Sequence, residues 1–214
     1  MENLKAQVLA TALAMNASGI NVGSAGNVSA RSEGGFVITP TGMAYDECVR
    51  EDMVFVPING VLSAPTGDQR QPSSEWRFHH DIYAARPDAG AIVHTHSAFA
   101  TAFACQSLPI PAFHYMVARF GGDDVPCADY ATFGTQKLSD AIVNALQDRC
   151  ACLLAHHGMV VYGQNLKHAL ALAIELETLA EQYWRTLQLG HAKLLPAAEM
   201  RRVLEKFATY GQAK

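Results

Sequence analysis

Charge is scarce in this chain. Asp, Glu, Lys and Arg make up only 17 % of its 214 residues, 16 basic against 20 acidic, with a net charge of -4. No basic stripe interleaved with aromatics occurs along it. Nucleic acid and an anionic membrane surface are therefore poor partners. Cysteine is also used sparingly: Cys48, Cys105, Cys127, Cys150 and Cys152 are odd in number and form no Cys-x-x-Cys pair. Neither a disulfide framework nor a thiolate zinc site is indicated, and the five read as small interior hydrophobes of a protein in a reducing cytoplasm. Met1-Glu2-Asn3-Leu4-Lys5 carries charges of both signs in place of the basic start and apolar run of a secretory signal. Nucleotide fingerprints are missing as well, since Gly23-Ser24-Ala25-Gly26 supplies neither G-x-G-x-x-G nor G-K-[ST].

What is present is apolar. Half of the residues are hydrophobic, and a chain of this length buries roughly 70 % of its unfolded surface on folding. That excludes disorder and fits one domain over residues 1–214 with surface to spare for a subunit interface. Residues 89–118 contain no Asp, Glu, Lys or Arg, yet His94, His96, His114, Pro109, Pro111 and Gly90 interrupt them. A membrane-spanning helix would have to hide all of these, so the stretch reads as buried interior.

Periodicity gives a coarse layout. A helix runs from Glu2 to Ser18 and stops at Gly19. Short β-like runs follow at Phe36–Ile38 and Met53–Val56, with an Asn59-Gly60 turn signal. Pro72-Ser73-Ser74 then opens a helix from Glu75 to Ala85 with two hydroxyls placed to cap it, and Arg86-Pro87 ends it. Ala91–His94 is a predicted strand, Ser97–Cys105 a helix, Phe113–Val117 a strand and Gly134–Leu146 an amphipathic helix. Ala151–Leu154 and Met159–Tyr162 are strands flanking a His-His-Gly turn. The longest helix spans Leu166–Leu189, and a last one starts at Pro196 and ends near Tyr210-Gly211. Strands in the middle with helices between and at both ends predict an α/β or α+β domain, with a mixed or antiparallel sheet crossed by flanking helices.

Three signals carry chemistry. In His94-Thr95-His96 two imidazoles lie two apart at a strand end, so both point to one face, and His156-His157 at a second strand end offers a third nitrogen. Three neutral imidazoles with an open position make a catalytic rather than a structural zinc site. His79 and His80 compete, because Glu75 and His79 stand four apart on one helix; His79, His80, His114, His168 and His191 otherwise read as surface or satisfied core. Gly26-Asn27, Thr41-Gly42 and Ser73-Ser74 each present backbone N–H groups beside a hydroxyl or amide, suited either to a phosphate or to turns and caps. Glu75 sits in a first helical turn, where a carboxylate complements the helix dipole or does acid/base work, and Tyr115 reads by default as a core aromatic.

Together these residues resemble the class II aldolase family. The matching stretches are Ala25–Ser29, Ile38–Gly42, Pro72–His79, Val93–His96, Ile110–Met116, Tyr130–Thr135 and His156–Gly158, in family order over nearly the whole chain. The resemblance implies a single-domain class II aldolase-like α/β fold, its mainly antiparallel sheet flanked by helices, assembled as a homotetramer. It implies a divalent metal, Zn²⁺ with Mn²⁺ or Co²⁺ as other occupants, held by His94, His96, His157 and Glu75, with Glu75 also the acid/base. It assigns the phosphate of a small sugar substrate to Ser24, Gly26, Asn27, Thr41, Gly42, Ser73 and Ser74. Tyr115 matches a catalytic tyrosine given across a subunit interface, and Phe133 and Tyr210 match the aldehyde pocket. The implied reaction cleaves a ketose 1-phosphate, such as L-fuculose 1-phosphate, to dihydroxyacetone phosphate and a small aldehyde such as lactaldehyde. Alternatives are 5-deoxyribulose or methylthioribulose 1-phosphate cleavage, or a related dehydratase or epimerase. The epimerase is disfavoured because it carries Asp where this chain has Glu75, and an adducin-like binding module because all three histidines are present. Arg119-Phe120 departs from the small residues of the fuculose-cleaving members at that place.

Overall fold

A computed structural model of the chain describes residues 1–59 and 70–209. Its elements are α1 (Glu2–Ala17), β1 (Asn27–Ser32), β2 (Gly35–Ile38), β3 (Val54–Pro57), α2 (Trp76–Ala85), β4 (Ala91–Thr95), α3 (Ala98–Ala104) and β5 (Ile110–Pro111). They continue with β6 (Asp124–Val125), β7 (Cys127–Ala128), α4 (Gln136–Ala145), β8 (Ala151–Leu154), β9 (Gly158–Gly163), α5 (Leu166–Gln188) and α6 (Ala197–Thr209). Seven strands form one sheet in the order β3-β2-β1-β4-β9-β8-β7, and β5 pairs with β6 in a small second sheet. Only β7 and β8 run parallel; the other pairs are antiparallel.

Both faces of the sheet are covered, and the two-residue period of the strands divides the core in two. Ala91, Val93, Leu153, Met159 and Val161 pack on Val8, Ala12 and Met15 of α1, Phe103 of α3 and Leu172, Leu176 and Leu179 of α5. Their sequence neighbours Ile92, Cys152, Leu154, Val160 and Tyr162 face the other way, onto Phe78, Ile82 and Tyr83 of α2 and Leu138 and Ile142 of α4. Covering on both faces explains why β4, β8 and β9 are near-continuous apolar runs rather than alternating ones. No helix among the described residues is long and apolar enough to cross a membrane.

Two expectations are corrected, and one strand was not foreseen. Residues 113–117 are not a strand: β5 ends at Pro111, and Tyr115–Phe120 form a 3-10 helix. The apolar positions Val117 and Phe120, three apart, eclipse on one side of that helix and are both buried, while the His114 ring accepts the Met116 N–H at its start. β1 was not legible because its buried positions include Asn27 and Ser29 in place of an apolar run. The cysteines are not uniformly interior: Cys48 and Cys152 are buried, Cys127 and Cys150 half-buried, and Cys105 exposed. The turn expected at Asn59-Gly60 and the helix end at Tyr210-Gly211 reach beyond the described residues.

Ile92 is fully buried at the centre of the sheet, against α2. Ile92→Ala should lower unfolding free energy by about 2–5 kcal/mol in urea titration, the range for truncating a packed aliphatic side chain. A loss below about 1 kcal/mol would contradict the close packing of α2 on β4.

Candidate metal centre

The end of β4 carries the first two nitrogens. His94 is fully buried, pairs in register with Asn27 of β1 and Val160 of β9, and donates Nδ1–H to the Met159 carbonyl at 2.8 Å. That bond fixes the tautomer and leaves Nε2 as a lone-pair donor. His96 stands just past the strand at the solvent edge, its Nε2 3.1 Å from that of His94. The corner behind it is held by Glu177 of α5, whose carboxylate accepts Ser97 Oγ–H at 2.7 Å and the N–H groups of Phe99 and Ala100 at 2.8 and 2.9 Å.

The third nitrogen comes from the β8–β9 turn, closed by the His157 N–H on the Leu154 carbonyl at 2.9 Å. His156 adopts φ 55°, a left-handed conformation uncommon outside glycine, and so His157 faces the centre. Gly158 is required by proximity, since a Cβ there would lie 2.4 Å from the Thr95 carbonyl oxygen. The rings of His94, His96 and His157 pack pairwise with centroids 4.8–4.9 Å apart at steep angles.

Glu75 completes the set. It occupies the N-cap position of α2, and neither Ser73 nor Ser74 caps that helix as expected; Ser73 Oγ instead accepts the Glu75 N–H at 3.3 Å. The carboxylate reaches inward, with Oε2 3.1 Å from His94 Nε2 and Oε1 3.2 Å from His157 Nε2. Oε2 also accepts Asn27 Nδ2–H at 2.9 Å, whereas Oε1 is buried without a hydrogen-bond partner. Burial pushes the Glu75 carboxyl up, but the His94 and His157 imidazoles outweigh it and hold the group well below the usual carboxylate range. For His94 burial acts downward, and the adjacent Glu75 carboxylate reverses it to a raised value.

One ligand atom from each of Glu75, His94, His96 and His157 lies within 4.8 Å of every other, the one such grouping among the described residues with this His₃ composition. Ligands about 2.0–2.1 Å from a tetrahedral ion stand roughly 3.3 Å from one another, close to the 3.1–3.2 Å separations here. Lone pairs converging at such spacing, together with the orphaned Oε1, fit a divalent metal ion.

The three small-residue loops do converge beside this set. Thr39, leaving β2, donates its N–H to the Val28 carbonyl and accepts from the Ser73 N–H at 3.0 Å, and Thr41 N–H reaches the Gln71 carbonyl at 3.1 Å. Gly26-Asn27, Thr41-Gly42 and Ser73-Ser74 are thus brought to one end of the sheet. Gly26 and Asn27 are buried, as is Ser73, while Ser24, Thr41, Gly42 and Ser74 are exposed. The Tyr45 hydroxyl, raised to about 12 by burial, holds the Gly26 carbonyl. A cavity of about 280 Å³ opens over Ser74, Glu75, His96, His157, Tyr130 and Phe133. Tyr115, half exposed, lines a different cavity of about 1050 Å³ with Arg119 and Phe207 and is not brought to this centre within the chain. Tyr210 lies outside the described residues. Sequence reasoning missed Tyr45 and Glu177, which no motif marks, and the roles of His79 and Asn27 around Glu75; the Glu75/His79/Tyr83 stripe at four-residue spacing was the available signal.

A model of the family described as Class II Aldolase and Adducin N-terminal domain matches residues 6–184. The chain is 55 % identical over 193 residues, 90 % of its length and 86 % of the relative's, to a 5-methylthioribulose-1-phosphate/5-deoxyribulose-1-phosphate aldolase of Rhodospirillum rubrum. It is 46 % identical to an L-fuculose phosphate aldolase of Escherichia coli over 97 % of this chain and 95 % of that one. A solved structure of an L-fuculose 1-phosphate aldolase superimposes with a TM-score of 0.90 at 36 % identity, covering 96 % of each chain.

Protein purified without added metal should contain about one divalent ion per chain by elemental analysis, and His94→Ala, His96→Ala and His157→Ala should each lower that content. Full metal content in all three variants would show that the cluster is not the site.

Proposed function

The chain belongs to the class II aldolase and adducin N-terminal family, with aldolases among its relatives and a Glu/His₃ grouping suited to a divalent metal, and is a lyase of that class; from this we propose that it cleaves a ketose 1-phosphate reversibly between C3 and C4. The products are dihydroxyacetone phosphate and a small aldehyde. The observation that carries the reading is the adjacency of three hydroxyl- and amide-bearing loops to the Glu75/His94/His96/His157 set.

His94, His96, His157 and Glu75 hold the ion, which we take as Zn²⁺, with Mn²⁺ or Co²⁺ as other occupants. Bound there, a divalent cation supplies Lewis acidity toward the carbonyl and neighbouring hydroxyl oxygens of the substrate. The substrate phosphate is held by backbone N–H groups of Gly26 and Gly42, the Asn27 amide and the hydroxyls of Ser24, Thr41, Ser73 and Ser74, with the N-terminus of α2 adding its dipole. Glu75 carries the proton to and from C3, a task that its buried position between ring nitrogens and a single N–H donor supports. Phe133 and Tyr210 border the aldehyde. Tyr115 of the partner subunit donates to the aldehyde oxygen, and its half-exposed ring away from the centre of its own chain supports that placement. The whole chain, residues 1–214, is one such domain, assembled as a homotetramer in the cytoplasm, where five free thiols are at home.

L-Fuculose 1-phosphate, 5-deoxyribulose 1-phosphate and methylthioribulose 1-phosphate yield aldehydes that all end in a methyl group, and Tyr130, Ala131 and Phe133 present an apolar wall to such an end. The 55 % identical relative favours the methylthioribulose and deoxyribulose substrates as the second reading.

Metal-loaded enzyme incubated with dihydroxyacetone phosphate and, separately, lactaldehyde, acetaldehyde and (methylthio)acetaldehyde should form the corresponding ketose 1-phosphates, identified by mass and NMR. Glu75→Gln should slow exchange of the donor C3 proton by about 10²-fold or more. No carbon–carbon bond formation with any aldehyde, or undiminished exchange in Glu75→Gln, contradicts the proposal.

A further inference from the structure

Behind Glu75 lies a line of buried polar groups, of which the reaction outlined above uses the Asn27 amide but not His79, Ser29 or Tyr83. α2 presents Glu75, His79 and Tyr83 at four-residue spacing along one stripe, and β1 presents Asn27 and Ser29, two apart, on the facing side of the sheet. The two rows interleave. Asn27 Nδ2 is 2.9 Å from Glu75 Oε2, Asn27 Oδ1 is 2.5 Å from His79 Nε2, Ser29 Oγ is 2.7 Å from His79 Nδ1, and Ser29 Oγ is 2.8 Å from the Tyr83 hydroxyl. All five residues are buried, with exposures of 6 % or less.

Such a chain has a direction, and one end of it is fixed. A carboxylate can only accept, so the Asn27 amide must turn its Nδ2–H toward Glu75 and its Oδ1 toward His79. His79 must then donate from Nε2. Its ring is neutral, burial placing it at about 3, so Nδ1 is a bare lone pair and takes the proton of Ser29. Ser29 has no second proton and accepts from Tyr83, whose hydroxyl burial holds well above the ordinary range and keeps protonated. The alternative amide orientation would place Oδ1 against the carboxylate, two acceptors at hydrogen-bond distance with no water between them.

We propose that His79 is a positioning residue: as the Nε2–H tautomer it locks the Asn27 amide, and through Asn27 it ties down Glu75 Oε2, leaving Oε1, 3.2 Å from His157 Nε2, as the carboxylate oxygen without an amide donor. His79 suits this because it cannot turn; its ring is stacked on Phe78 with centroids 4.7 Å apart and bonded at both nitrogens. The consequence for turnover rests on Glu75 being the proton carrier, whereas the tautomer and the amide orientation do not.

Two measurements separate those parts. In full-length protein labelled with ¹⁵N-histidine, with and without metal, the His79 ring should appear as the neutral Nε2–H tautomer, its signal assigned in the unsubstituted chain through its ring contact with Phe78. An Nδ1–H tautomer overturns the proposal, and because this is read on the unsubstituted chain it decides even if variants fold poorly. The second compares His79→Gln, whose amide nitrogen falls near the Nε2 position and can still donate to Asn27, with His79→Asn, which reaches only the Nδ1 position. At equal metal content, exchange of the dihydroxyacetone phosphate C3 proton should stay within about threefold in His79→Gln and fall about tenfold or more in His79→Asn. Equal losses in both would show a merely structural role. Should Glu75→Gln retain full exchange, the proton-carrier reading fails while the tautomer result still stands.

Discussion

Four electron-pair donors are held around one point where β4 ends, and much of the molecule serves to keep them there. Ring nitrogens and a carboxylate at 3.1–3.2 Å repel unless a cation or shared protons lie between them, so this arrangement costs folding free energy that the surrounding packing offsets. The raised His94 and lowered Glu75 show how protons relieve it: each is stabilised in its charged form by the other. A metal ion relieves the same repulsion without protons, which couples metal binding to ligand deprotonation.

The supports are rigid elements, not mobile loops. His94 lies within a strand bonded on both sides, His96 is pinned by the Glu177 cap of α3, and His157 is held in a tight turn in which only glycine fits at the next position. Glu75 arrives from the opposite layer, on the helix whose apolar side, Phe78 and Ile82, is sealed against Ile92 and Val160. The two-residue period of β1 then brings Asn27 and Ser29 to the side of that helix carrying Glu75 and His79. One packing layer thereby sets both the core and the geometry of the carboxylate.

The sequence was most readable where local chemistry and global position coincide. The helices at residues 2–17 and 166–188 follow from long periodic patterns, and the three ligand histidines from strand-end motifs with a fixed geometric meaning. Reading failed where a residue's role depends on a partner far along the chain. Glu75 could be placed on a helix start but not aimed, because its aim comes from Asn27, His94 and His157, 19 to 82 residues away in sequence. Strand β1 was hidden by the polar residues that bind α2, and the segment at Phe113–Val117 looked extended because alternation and a three-residue step share its apolar positions. The convergence of the small-residue loops depends on the pairing of Pro40 with Pro72 and the bonds on either side of it, which no local pattern encodes.

Whether these four side chains hold the metal is decided by a crystal structure of the metal-loaded protein with anomalous diffraction recorded across the absorption edge of the metal. One peak per chain is expected, with His94, His96 and His157 nitrogens about 2.0–2.1 Å away and a Glu75 oxygen within bonding reach when no substrate is present. A peak coordinated elsewhere, or one that leaves His157 or both His94 and His96 unligated, would contradict it.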